Sequence, residues 1–137
     1  MSIHIKSSTG QVIDNPGVDV VVYSLFDDPS AWTRTPDATI THTENGTPSS
    51  LIVAYAEGIG YYVHLLDKSR RIWLLVENPV NISPEVVEID EDYSISAGLL
   101  CKRSIAEDAV RWFVTHGDKA PNLKWLSDFD LPDNVAF

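Results

Sequence analysis

The stretch SLIVAYAEGIGYYVHLLDKSRRIWLLVE, residues 50–77, decides the fold, because it holds three apolar segments separated by two short links. The links, residues 57–60 and 67–70, are much shorter than a parallel crossover needs, so neighbouring segments must pair as antiparallel strands. Residues 51–56 are apolar at every position, which predicts a β-meander that is apolar on both faces. Such a sheet must be covered on both sides, or one side must be an interface.

A helix is predicted after the meander, at residues 104–116. Ser104 and Glu107 have the spacing of a capping box, and Asp108 adds negative charge near the helix N-terminus. Gly117 is expected to end the helix in the left-handed conformation. The face predicted to pack on the meander consists of Ile105, Ala109, Trp112 and Phe113.

Two further strands are predicted before the meander. Residues 2–6 alternate and indicate an opening strand, with residues 11–13 as its candidate partner across a turn at Thr9-Gly10. Residues 38–44 alternate strictly and predict a half-exposed strand that ends at the Asn45-Gly46 turn.

The conformation of residues 14–36 stays open between strand and helix. The valines of GVDVVVYSLFDD favour a strand, whereas Asn15 as cap, Pro16 at the first helical position and Asp19 in the first turn favour a helix. We prefer the helix, because one helical face would carry Val18, Val21, Val22, Leu25 and Phe26.

Together these elements predict an α+β fold, in which an antiparallel β-meander sheet is packed by a C-terminal helix and by an N-terminal helix. Short strands are also expected near residues 86–89 and 99–101. The length of 137 residues predicts a single domain over residues 1–137.

Composition narrows the environment of the protein. A hydrophobic content of 44% is typical of a folded chain. Cys101 is the sole cysteine, so the chain can form neither an internal disulfide nor a cysteine-based metal cluster. The sequence has neither a membrane-spanning apolar run nor a secretory signal at its N-terminus, so we expect a cytoplasmic location.

Charge is the strongest global signal, with ten basic residues against twenty acidic ones and a formal net charge of −10. This field would repel nucleic acid and anionic membrane surfaces, and it would attract a basic protein partner. Two stretches carry carboxylates without any lysine or arginine. The candidate partner-binding residues in them are Glu77, Glu85, Glu88, Asp90, Glu91, Asp92, Asp128 and Asp130. The alternative is that these carboxylates serve only solubility.

Enzyme chemistry has little support in the residue pattern. Cys101 with His116, or with His42 or His64, could form a thiolate and a base, but a buried cysteine and a helix-terminal histidine explain the first pair equally well. The run from Glu88 to Asp92 lacks the ligand spacing of a calcium loop, and no phosphate-binding or metal-binding motif occurs. We therefore predict no catalytic, cofactor-binding or metal-binding residues.

A family resemblance emerges from two segments, NGTPSSLIVAYAEGIGYYVHLL (residues 45–66) and SAGLLCKRSIAEDAVRWFVTHGDKAPNLKW (residues 96–125). The order of a glycine-led strand, a helix and a closing aromatic, glycine, proline and tryptophan resembles the first immunity family of bacterial polymorphic-toxin systems. The resemblance is strongest over residues 46–125. The positions that carry it are Ala106, Ala109, Phe113, Gly117, Pro121 and Trp125.

The resemblance implies a cytoplasmic immunity protein that binds and neutralises a cognate toxin domain as a stoichiometric complex, without catalysis and without a cofactor. Toxins paired with this family are often nucleases or deaminases, so the implied partner is a basic, nucleic-acid-targeting protein. One alternative is a small α+β enzyme or ligand-binding module with a pocket between helix and sheet, where Tyr62, His64 and Cys101 would converge. Another is an adaptor with a chaperone-like role in secretion.

Overall fold

A computed structural model describes residues 2–7, 11–32 and 37–137 of the chain. Within these ranges the strands are β1 (Ser2–Lys6), β2 (Val12–Asp14), β3 (Asp37–Glu44), β4 (Thr47–Ala56), β5 (Gly60–Leu66), β6 (Ile72–Leu75), β7 (Val86–Asp90), β8 (Tyr93–Ser96), β9 (Leu100–Cys101) and β10 (Trp125–Ser127). The helices are α1 (Val18–Val22), which continues into a π-helical turn (Tyr23–Asp27), and α2 (Arg103–His116). Two 3-10 turns lie at Ala97–Leu99 and Asp128–Asp130. The predicted α+β class is confirmed.

The main sheet is antiparallel, in the order β10-β6-β5-β4-β3-β1-β2, and β9 pairs with part of β5. Strands β4, β5 and β6 are consecutive neighbours, which confirms the predicted meander. Glu44 of β3 pairs with Thr47 of β4, so only Asn45 and Gly46 form the loop. Both have positive φ, 51° and 77°, as a two-residue hairpin turn that matches the strand twist requires.

The N-terminal segment contains the preferred helix, but its start differs from the prediction. Asn15 has a φ of 50°, and its side chain accepts a hydrogen bond from the Ile3 amide at 3.1 Å, so it closes the β1–β2 pair and does not cap the helix. Gly17 is the N-cap, and Val21, Val22 and Leu25 are buried as expected. The predicted turn at Thr9-Gly10 lies outside the described residues.

Helix α2 and its glycine stop are confirmed, whereas the capping box is wrong. The helix begins at Arg103, after an N-cap at Lys102, so Ser104 already lies inside the first turn and Asp108 lies beyond it. The Lys102 amide donates to a Glu77 carboxylate oxygen at 3.0 Å, which brings a negative charge to the helix N-terminus from another part of the chain. Gly117 has the expected left-handed φ of 71°.

The buried stripe of α2 is also rotated relative to the prediction. Ile105 and Trp112 are only half-buried. The fully buried positions are Ala106, Ala109, Val110, Phe113 and Val114. The two small alanines allow the helix backbone to approach the sheet closely, and Trp112 lies beside this stripe, where it stacks on the exposed His116.

Each face of the meander carries a core, although the second face is only partly covered, so the structure lies between the two outcomes that the apolar pattern allows. On one face, Leu51 and Val53 lie in a core shared with α1 and α2. On the other, Ala54 and Ala56 lie in a second core, which the β7–β8 hairpin and the residues around Val135 close. The hairpin therefore sits on the side of the sheet opposite the helices.

No helix in the described ranges is both long and apolar enough to span a membrane.

Candidate functional site

The β7–β8 hairpin carries a cluster of exposed acidic side chains, here called the acidic hairpin. Its inner side chains, Val87, Ile89 and Ile95, pack into the second core. Strand alternation then turns the intervening side chains toward solvent. The exposed carboxylates on and beside this hairpin are Glu85, Glu88, Asp90, Glu91 and Asp92.

The acidic hairpin is electrostatically uncompensated. None of its carboxylates forms an ion pair within the described part of the chain, where the paired acids all lie elsewhere. Val86, an aliphatic side chain beside these acids, is 59% exposed. The surface thus combines carboxylates that have no ion pair among the described residues with one exposed aliphatic side chain, and a protein partner can use both.

The other three predicted partner-binding residues lie on different elements. Glu77 follows β6 and holds the start of α2 through the Lys102 amide, so it has a structural role. Asp128 and Asp130 lie in a 3-10 turn after β10, the edge strand of the main sheet. The structure therefore brings five of the eight predicted acids together on the hairpin and leaves three apart from it.

The candidate Cys101–His116 pair is not assembled. Cys101 lies just before α2 and His116 lies in its last turn, so a fourteen-residue helix separates them, a span of about 20 Å. Cys101 is buried, and burial raises the pKa of its thiol to about 12. His116 is exposed and stacks on Trp112 with ring centroids 3.8 Å apart. This geometry does not activate a thiolate.

The alternative pocket formed by Tyr62, His64 and Cys101 is not formed either. The Tyr62 hydroxyl lies 2.8 Å from His64 Nδ1, but Cys101 belongs to the helix-side core and Tyr62 to the second core, on opposite faces of the sheet. Burial lowers the pKa of His64, so its imidazole is neutral at physiological pH. The tyrosine and histidine satisfy each other as a core pair.

Two open clefts flank the C-terminal end of α2, on the helix side of the sheet. The larger, about 460 Å³, lies along the outer face of the helix beside Trp112 and Pro121, and the smaller, about 230 Å³, lies between Gly117 and the loop at Ser69. Cys101 lines neither cleft. These clefts do not bring a nucleophile and a base together.

His42, a candidate base in the sequence, is a fully buried group. It is 0% exposed, and neither ring nitrogen has a hydrogen-bond partner among the described residues. Its ring packs edge-on against Phe113, and Gly117 passes directly over it. Burial, followed by the nearby Lys68 ammonium, lowers its pKa. The inward position could have been found from strand parity, since His42 alternates with the buried Ile40.

No group of three or more histidine, cysteine, aspartate or glutamate side chains in the described ranges is arranged to hold a metal ion. In comparisons with protein-family models, curated proteins and solved structures, this chain finds no significant match.

Proposed function

We propose that this chain is a cytoplasmic immunity protein, an antitoxin that neutralises a basic, nucleic-acid-targeting toxin domain by forming a stoichiometric complex. The observation that carries the proposal is the acidic hairpin, five exposed carboxylates without an ion pair among the described residues. The resemblance of residues 46–125 to the first immunity family supplies the class of partner.

Electrostatics favours this partner over others. A nuclease or deaminase must itself attract nucleic acid, so its binding surface is basic. A net charge of −10 steers such a protein toward this chain and repels the toxin's own substrate. The exposed Val86 beside the carboxylates adds apolar area, which charge pairs at a rim do not provide.

An inhibitory rather than catalytic role is also consistent with the chemistry of the described side chains. The thiol of Cys101 is buried and far from His116, and Tyr62 and His64 bind each other. A stoichiometric binder needs only a stable scaffold and an exposed complementary surface. Two packed cores and an outward-facing hairpin meet that requirement.

The test is the association rate of the toxin domain with matched charge-reversed variants. The variant Glu91→Lys/Asp92→Lys changes the hairpin, and Glu57→Lys/Asp108→Lys makes the same change in net charge at two exposed positions away from the hairpin. We expect the hairpin variant to associate at least about tenfold more slowly at low salt, because local charge dominates steering. The control is expected to change less, and high salt should reduce the difference.

Equal slowing in both variants would mean that net charge alone steers the partner. No slowing in either variant would mean that the carboxylates of the hairpin serve only solubility. The hairpin would then have no role in binding the toxin domain. Thermal unfolding of each variant controls for folding.

A further inference from the structure

Beside the acidic hairpin, part of the second face of the sheet is only partly covered by the described residues. The second core closes the cross-strand row that contains Ala54 and Tyr62, both fully buried. The next two rows along the strands are only half-buried. We call them the open face, which consists of Thr39, Thr41, Ser50, Ile52, His64 and Leu66.

Strand register places these six side chains on one surface. Ile52 pairs with Thr39 on one side and with His64 on the other, and Ser50 pairs with Thr41 and Leu66 in the same way. Directly paired residues of antiparallel strands point to the same face, so the open face spans β3, β4 and β5. Its side chains lie about 5 Å apart across strands and about 7 Å apart along them.

The composition of the open face suits contact with another protein. Ile52 and Leu66 belong to neither core, although both are large aliphatic side chains at the centre of a sheet. The hydroxyls of Thr39, Thr41 and Ser50 make no side-chain hydrogen bonds to other described residues. Aliphatic groups interleaved with hydroxyl groups offer packing and hydrogen bonding at once.

The acidic hairpin adjoins the open face, because β7 of the hairpin contacts β4, the strand that carries Ser50 and Ile52. Tyr93, which follows the hairpin turn, lies near Asp37 at the start of β3, and burial together with that carboxylate raises the pKa of Tyr93 to about 12. At the other end, the Asp128 carboxylate lies close enough to His64 to act on its titration. Carboxylates therefore flank both ends of the open face, and Lys6, paired with Thr39, is a cation at its outer margin.

We propose that the open face receives a basic element of the partner protein, with lysine or arginine stems packed on Ile52 and Leu66 and their cations directed to the flanking carboxylates. This proposal rests on the proposed function, since the partner protein is the basic toxin domain that the acidic hairpin attracts. The open face alone is far smaller than the roughly 800 Å² per partner of a stable interface, so hairpin and open face must act together. Long basic side chains suit the site because they bury their stems while the charge stays near solvent.

A first experiment uses the full chain without any toxin. Methyl and amide NMR signals are followed during titration with a short arginine- and lysine-rich peptide, and a peptide with glutamine at each cationic position is the control. We expect the methyl signals of Ile52 and Leu66 and the amide signals of the hairpin to shift together with the basic peptide alone. Val63 and Leu65, on the opposite face of β5, should not shift.

Shifts confined to the hairpin, or spread over both faces, would overturn the proposal. Concentration-dependent shifts of Ile52 and Leu66 without peptide would also overturn it, because a second copy of this chain would then be the occupant. These outcomes leave the proposed function to be judged separately by toxin neutralisation.

A second experiment blocks the open face in the toxin complex. Ser50→Arg adds bulk and one positive charge at its centre, and Thr115→Arg makes the same charge change at an exposed position of α2, on the other side of the sheet. We expect at least about a tenfold loss of affinity for Ser50→Arg and little change for Thr115→Arg. Equal affinities in a folded Ser50→Arg protein would refute the proposal, even if wild-type protein neutralises the toxin.

Discussion

Replacing Gly117 by alanine tests how closely the end of α2 packs on the sheet. Gly117 has a φ of 71°, and a Cβ at this position would collide with Nδ1 of His42 and lie 2.8 Å from its Cε1. The left-handed conformation costs a non-glycine residue roughly 1–2 kcal/mol. Pushing a buried ring aside costs about 1–3 kcal/mol more. We therefore expect Gly117→Ala to lower the free energy of unfolding by about 2–5 kcal/mol.

Gly46→Ala is the matched control for the backbone part of this loss. Gly46 has nearly the same φ, 77°, but no atom lies within 4 Å of its added Cβ. It should lose only about 1–2 kcal/mol. Urea denaturation at constant pH measures both variants, and a loss of 3 kcal/mol would move the midpoint by roughly 1–2 M at a typical slope of about 2 kcal/mol per molar.

A double mutant identifies the group that Gly117 contacts. Once His42→Ala has removed the ring, the added methyl of Gly117→Ala has no imidazole to meet, so its cost should fall to that of Gly46→Ala. A Gly117→Ala variant no less stable than Gly46→Ala would refute the packing of His42 under the helix end. An equal loss of free energy of unfolding from Gly117→Ala with and without the His42 ring would also refute this packing.

Two further predictions concern buried titratable groups. Burial lowers the pKa of His42 and of His64. Below about pH 6.5 the unfolded chain therefore binds more protons than the folded chain does. The free energy of unfolding should fall as the pH is lowered from about 7 to about 5, by up to about 1.4 kcal/mol per pH unit for each histidine. Denaturation across this range, with a His42→Gln comparison, should show a smaller slope in the variant; identical slopes would contradict a neutral buried His42. Cys101→Ala should leave toxin binding unchanged while lowering stability by about 1 kcal/mol. The wild-type thiol should react with thiol reagents only on unfolding, because burial raises its pKa to about 12, and fast labelling of folded protein would refute its burial.

The meander, its cores and the end of α2 could be predicted, because short stretches of sequence determine them. Short links between apolar segments force antiparallel neighbours, which is why the meander of β4, β5 and β6 could be read from residues 50–77. Apolar residues at consecutive positions such as Val53 and Ala54 indicated a sheet that is either covered on both faces or has one face as an interface, and the structure has a core on each face. Gly117 could be placed as a helix stop because its conformational freedom is a local property.

The predictions that were wrong concern residues whose hydrogen-bond partners lie far away in the sequence. Ser104 and Glu107 have capping-box spacing, but Glu77 reaches the Lys102 amide and the helix starts earlier. Asn15 has the chemistry of an N-cap and instead accepts a hydrogen bond from Ile3. The acids of the hairpin lie close together in the sequence, so their grouping could be predicted. The positions of Glu77 and Asp128 depend on the pairing of β6 with β10, and no local sequence pattern indicates that pairing.

The open face could not be foreseen for a related reason. A strand pattern shows which side chains share a face, but it does not show how far a covering element extends over that face. The hairpin covers the row of Ala54 and leaves the row of Ile52 half-exposed. That boundary depends on the length and placement of β7 and β8, which only the folded chain determines.

The most direct test of the central claim is growth of cells that express the proposed cognate toxin domain, with and without this chain. We expect co-expression to restore growth and the two proteins to co-purify in a one-to-one complex whose association slows as salt rises. Continued killing by the toxin in the presence of folded, abundant protein would contradict the proposed function.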